Sequence, residues 1–177
     1  VIYYIRCNII WKMFDYRKDN LFIKAIIHEL GHLIVGYIHG IVNTNNLIKL
    51  YVKADADRIE GHIIISDNYD CSDEEYVRFK IAGCVSEYIC GYKKSKTLAY
   101  GTDRDYVMYS TNNDKVLIRQ YFNETIQLLT PYKEAILAMK DCILNSKVQC
   151  DETKYSVLAY ISNKECLQWL EKHITKE

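Results

Sequence analysis

Two histidines four residues apart, with a glutamate directly after the first, are the residues of this chain best placed to do chemistry: His28-Glu29-Leu30-Gly31-His32. On an α-helix, residues at that spacing lie one above the other on nearly the same face. Both imidazoles can then reach one metal ion. Glu29 sits about a quarter-turn from His28, at the edge of that face. It cannot chelate beside the two histidines, but it can reach a water bound to the metal. Two neutral His ligands, an open coordination position and a carboxylate base are the parts of a zinc-assisted hydrolase of peptide bonds.

The element that must hold these groups is the stretch 18–40, KDNLFIKAIIHELGHLIVGYIHG. Asp19 and Asn20 are good N-cap types, Gly40 is a good C′ residue, and no proline lies between them. Apolar residues fall on most faces, which is the signature of a buried helix. The stretch is too polar at its centre and too well capped to read as a membrane span. Burying His and Glu in such a helix is costly unless each is paired or bound to something. That cost argues for a ligand.

A zinc site of this kind needs a third protein ligand. His39 shares the helix but lies about 10 Å along the axis from His32, too far to join it. His62 falls on a strand-like segment and reads as a solvated strand residue. Glu87 could serve from a second helix, and Asp103 and Asp105 open a third helix at its positive end. Spacing and composition alone leave these three open.

The rest of the chain supplies the frame. Its 177 residues suffice for one domain, 1–177, with a real core, and 49 % hydrophobic with 26 % charged residues reads as globular. A formal net charge of zero gives no electrostatic reason to expect nucleic acid or an anionic membrane as partner. Seven cysteines, with no C-x-x-C pair, are neither a disulfide framework nor a zinc ribbon, so a reducing cytoplasm is expected. Residues 1–16 are too short and polar to span a bilayer, lack a signal-peptide pattern, and read as a packed strand or helix.

Residues 47–52 and 61–66 read as two strands of a β-ribbon. The capping box Ser72/Glu75 opens a helix to about Cys90, with Gly91 as its stop. Helices are then expected from about Thr102 or Asp103 to Ser110, from Asp114 to about Leu129, from Thr130-Pro131 to about Asn145, and from Asp151 to about Ile161. A second capping box, Ser162/Glu165, opens a last helix with Leu167 and Leu170 on one side. The expected fold class is mainly α: an array of helices with a small ribbon of two or three strands.

Taken together, these segments resemble the peptidase domain of the ATP-dependent membrane zinc proteases, the FtsH family. The resemblance rests on His28-Glu29-Leu30-Gly31-His32 with its apolar continuation, and on Gly61 in the second ribbon strand. It rests also on the run Gly83-Cys84-Val85-Ser86-Glu87-Tyr88, and on Tyr100-Gly101-Thr102-Asp103-Arg104-Asp105-Tyr106 in place of the family's T-G-A-x-x-D-L signature. Asp151-Glu152 stands where the family has an acidic turn, and the likeness extends to about residue 160.

What the resemblance implies is a zinc-dependent endopeptidase. Zn²⁺ would be held by His28, His32 and Asp105, with Glu29 as general base and a polypeptide as substrate. The gap from His32 to Asp105, 105 − 32 = 73 positions, is close to the family's. Leu30 replaces the family's alanine, and Tyr100 and Thr102 replace small residues beside Gly101. No Walker A run G-x-x-x-x-G-K-[ST] occurs in these residues. Hydrolysis by this domain alone is therefore expected to be independent of ATP and confined to unfolded or short chains, unless a motor partner presents others. Two further readings stand beside it. One is a gluzincin acting on a repressor-like partner, with Glu87 as third ligand. The other is a peptide-binding module that keeps the peptidase fold without cutting.

Overall fold

The computed structural model describes residues 16, 18–55, 58–66, 70–98, 101–151 and 156–174. The expected element at 1–16 falls almost wholly outside them, as do Tyr100 and Glu152.

Helix α1, Asn20–Ile38, is the centre of the core. Asp19 caps it, its carboxylate accepting from the Phe22 amide at 2.7 Å. Past its end, Gly40 takes a φ of 74°, as a helix-stop glycine does. Phe22, Ile26, Ile27, Leu30, Leu33 and Ile34 are fully buried on one side of the helix, while Leu21, Lys24, Ala25 and His28 are less buried on the other and line a cleft. By length and composition α1 is able to cross a bilayer, but 72 % of its most apolar stretch is buried within the protein.

Helix α2, Asp73–Ile89, starts at the Ser72/Glu75 capping box and packs along α1. Small residues let the backbones close in. A Cβ on Gly31 would lie 2.5 Å from the Ala82 carbonyl oxygen, and one on Gly83 would lie 2.4 Å from the His28 ring. The Ser86 hydroxyl, 2.7 Å from the Ile27 carbonyl, joins the two helices where they cross.

Helices α3, Thr102–Ser110, α4, Lys115–Leu129, and α5, Lys133–Ser146, follow, with a 3₁₀ turn Thr130–Tyr132 around Pro131 between the last two. Helix α6, Asn163–His173, opens on the second capping box. These helices start and stop close to the positions expected of them.

The sheet is larger than expected. It has four antiparallel strands: β1, Leu47–Ala54, β2, Ile59–Ile65, β3, Val148–Asp151, and β4, Ser156–Ser162, in the order β2-β1-β4-β3. The helix expected from Asp151 to about Ile161 is thus replaced by two strands. The physical reason is the alternation in Val157, Ala159 and Ile161, which are buried while Tyr160 is exposed. That period of two fits a half-buried strand. Val52 faces Ala159 and Leu50 faces Ile161 across the β1–β4 pairing. The expected mainly α class holds, with a four-stranded sheet in place of the ribbon.

Candidate metal centre

The site forms where α1, α2, α3 and β2 meet. His28 and His32 stand one turn apart on α1, with ring centroids 4.7 Å apart. Their Nε2 atoms converge on one carboxylate oxygen, Asp103 Oδ2, at 3.4 and 3.1 Å respectively. The three donor atoms lie within 4.8 Å of one another and could hold a metal ion.

The resemblance selected Asp105 as third ligand, but the carboxylate the structure brings to the two histidines is that of Asp103. Asp105 is exposed and takes no part in the donor group, whereas Asp103 does. Two positions along a helix are about 200° of rotation, so residues 103 and 105 of α3 point to opposite sides. Phase is set by where the helix begins. Its N-cap is Gly101, whose φ of 138° and ψ of −175° suit glycine alone. Starting there, α3 turns Asp103 towards α1 and Asp105 towards solvent.

The other ring nitrogens are already committed. His28 Nδ1 lies 2.7 Å from Glu87 Oε1, and His32 Nδ1 lies 2.6 Å from the Phe79 carbonyl oxygen. A carbonyl only accepts, so His32 Nδ1 carries the proton and Nε2 is free to bind a cation. Glu87 likewise accepts from His28 Nδ1, so His28 Nε2 can bind a cation once it gives up its own proton. This is how metal-binding histidines are commonly oriented. Further out, Lys24 Nζ lies 3.3 Å from Glu87 Oε2, and Lys80 Nζ donates to Asp103 Oδ1 at 3.0 Å. Lys80 thus holds one carboxylate oxygen of Asp103 and leaves the other facing the histidines.

The electrostatics follow from these contacts. Burial works to lower the His28 pKa, but hydrogen bonds with Asp103 and Glu87 outweigh it and push it up to about 10 when no metal is bound. Burial works to raise that of Asp103, but both histidines and Lys80 hold it well below the usual carboxylate range. Glu87 is likewise lowered, with His28 and Lys24 outweighing its burial. Glu29 is different: burial raises its pKa, the two histidines opposing.

Glu29 belongs to no donor group and sits under β2. A Cβ on Gly61 would lie 2.7 Å from Glu29 Oε1, so glycine is needed for the strand to pass this close. A cleft of about 670 Å³ opens over His28, Glu29, Gly61 and Asp103. His62 is exposed on β2 against the Tyr51 ring, and His39 pairs with Glu75 at 3.5 Å, away from the cluster. Neither joins it.

Sequence reasoning did not assign roles to Lys80 or to the Phe79 carbonyl, and it weighed Glu87 only as a ligand. A signal was present. Lys80, Gly83, Cys84 and Glu87 fall at i, i+3, i+4 and i+7, one stripe of α2. That stripe faces the histidines. A second donor group, His28, Cys84 and Glu87, also lies within 4.8 Å, but it leaves His32 out. Comparison with known protein families, curated proteins and solved structures finds no match for this chain.

Proposed function

We propose that the protein is a zinc-dependent endopeptidase, with His28, His32 and Asp103 as zinc ligands and Glu29 as general base. The observation that carries the reading is the pair of histidines presenting Nε2 to one carboxylate while their Nδ1 atoms are held elsewhere, with a buried carboxylate beside them. Zinc fits this donor set of two imidazoles and a carboxylate, with a position left for water. When bound, it supplies Lewis acidity and lowers the pKa of its water towards neutrality.

The chain's own residues do the rest. Glu29, its pKa raised by burial, takes a proton from the attacking water and gives it to the leaving amine. Glu87 and the Phe79 carbonyl hold the imidazoles in register. Among the described residues strand β2 is an outer strand of the sheet, and it passes over Glu29, so its edge can take an extended polypeptide antiparallel to it. Kinship with FtsH-type peptidase domains is part of the proposal, with the third ligand two positions earlier than in the family's pattern.

The gluzincin reading needs Glu87 on the metal. Its carboxylate is placed on His28 Nδ1, and Asp103 rather than Glu87 meets the Nε2 atoms of both histidines, which favours the first reading.

The test is Glu29→Gln. Purified protein is expected to carry one zinc per chain by metal analysis, and the variant to keep it. Hydrolysis of an unstructured peptide should fall by about 10²–10⁴-fold. Equal rates for the two proteins, or no hydrolysis by zinc-loaded wild type, would discard the peptidase and leave the peptide-binding module.

A further inference from the structure

A second cavity, of about 500 Å³, opens beside the cleft and shares Leu98 and Arg104 with it. Lys96, Arg104, Lys115 and Arg119 line it, over apolar side chains that include Ile118 and Phe122, and among the described residues no carboxylate contributes to its wall. In a chain of zero net charge this is a marked local imbalance. Lys96 is steadied by Asn123 Oδ1 at 3.1 Å and by the Tyr88 ring, neither of which neutralises it. Lys115 and Arg119 are exposed and make no ion pair among the described residues. A concave, mostly apolar wall with a few convergent charges of one sign is the build of a ligand site, and the sign selects an anion.

Position says which anion. From Asp103 to Met108, which also lines the cavity, is about 7 Å along the α3 axis. That is about two residues of extended polypeptide. The two cavities adjoin at Leu98 and Arg104, so a chain that lies in the cleft over Glu29 and runs towards those residues would place a neighbouring side chain, or its own end, in this cavity.

We propose that the cavity is a substrate subsite that takes a carboxylate of the polypeptide, either a Glu or Asp side chain or the free C-terminus, about two residues from the cleaved bond. Arg104 lines both cavities at their boundary, and the charges on which the recognition rests are those of Lys115 and Arg119. The proposal rests on the peptidase reading, but it is testable without turnover.

The experiment uses zinc-loaded Glu29→Gln protein and dye-labelled unstructured peptides that differ only in Glu against Gln, or in a free against an amidated C-terminus. Fluorescence anisotropy at low salt should show the carboxylate peptide bound about tenfold more tightly. Which pair shows the preference identifies the source of the carboxylate. The preference should shrink at high salt and vanish in Lys115→Glu/Arg119→Glu. A control with the same change in net charge, Lys164→Glu/Lys172→Glu on α6, should keep it. Equal binding within both pairs, no binding at all, or tighter binding of a short oligonucleotide than of the carboxylate peptides overturns the subsite. A preference kept by a protein that never cleaves supports the carboxylate site and sinks the peptidase reading alone.

Discussion

Replacing Asp103 with alanine is expected to strip most of the metal, because it removes the one carboxylate that both Nε2 atoms face. Asp105→Ala should leave metal content unchanged, since that side chain is exposed on the other side of α3. Metal analysis of the two purified variants decides it, and the reverse result would return the third ligand to Asp105. Protons compete for the same cluster. With its pKa pushed up to about 10, His28 is protonated near neutrality when no metal is bound, and an incoming ion must displace that proton. Zinc affinity should therefore rise about tenfold per pH unit between about pH 6 and 8, read by competition with a chromophoric chelator. A flat profile would end this account. For the metal-free fold the linkage runs the other way. The stability contributed by His28 is complete below its ordinary value of 6.5 and is lost as pH rises through about 10. Asp103 and Glu87, both lowered, contribute stability that is lost as pH falls through and below the ordinary carboxylate range.

At the scale of elements, the approach of α2 to α1 gives a direct test. Gly83→Ala would put a methyl group about where the His28 ring now lies, since a Cβ there falls 2.4 Å from it. Alanine is also the better helix former by about 1 kcal/mol, so α2 itself should survive. The expected outcome is helical content unchanged by far-UV circular dichroism with zinc affinity reduced at least about tenfold. Unchanged affinity would mean that the two helices separate easily and that the crossing does not position the ligand. The elements also show what could be read in advance. Caps at Asp19, Ser72, Asp114 and Ser162 were legible because each is a contact within three residues. Strand β4 was not: beside the nearby β3, the pairing that places it in the sheet is with Leu50 and Val52, more than a hundred residues away. A short apolar run does not declare whether it is helix or strand until its neighbour is known. The choice between Asp103 and Asp105 had the same character. The residue types offered both carboxylates as candidates, but the helix phase that brings one of them to the histidines depends on the backbone at Gly101.

At the scale of the whole molecule, on the peptidase reading, the cleft would set what can be cut. A cavity of about 670 Å³ beside a strand that is outermost among the described residues has room for one extended chain and not for a folded domain. Without ATP or a partner, zinc-loaded protein is expected to degrade an unfolded casein-like chain and to leave a tightly folded domain intact, as followed by gel electrophoresis. Cleavage of the folded domain at a comparable rate would show that the chain opens its own substrates, which nothing in this cleft provides.

The burial of one whole side of α1 limits how such a site can diversify. Its histidines and glutamate share one helix with Ile26, Ile27, Leu30, Leu33 and Ile34, all without exposure. Truncating any of these to alanine would cost about 2–5 kcal/mol, a large part of the roughly 5–15 kcal/mol that holds a domain together. Drift in α1 is thus filtered for folding before it can be filtered for activity. New preferences for substrate have to be explored on the other walls: β2, the first turn of α3 and the 91–98 segment, where exposed positions tolerate exchange. On the peptidase reading, the groups that would do the chemistry are held by the core, and the walls that would set specificity lie around it.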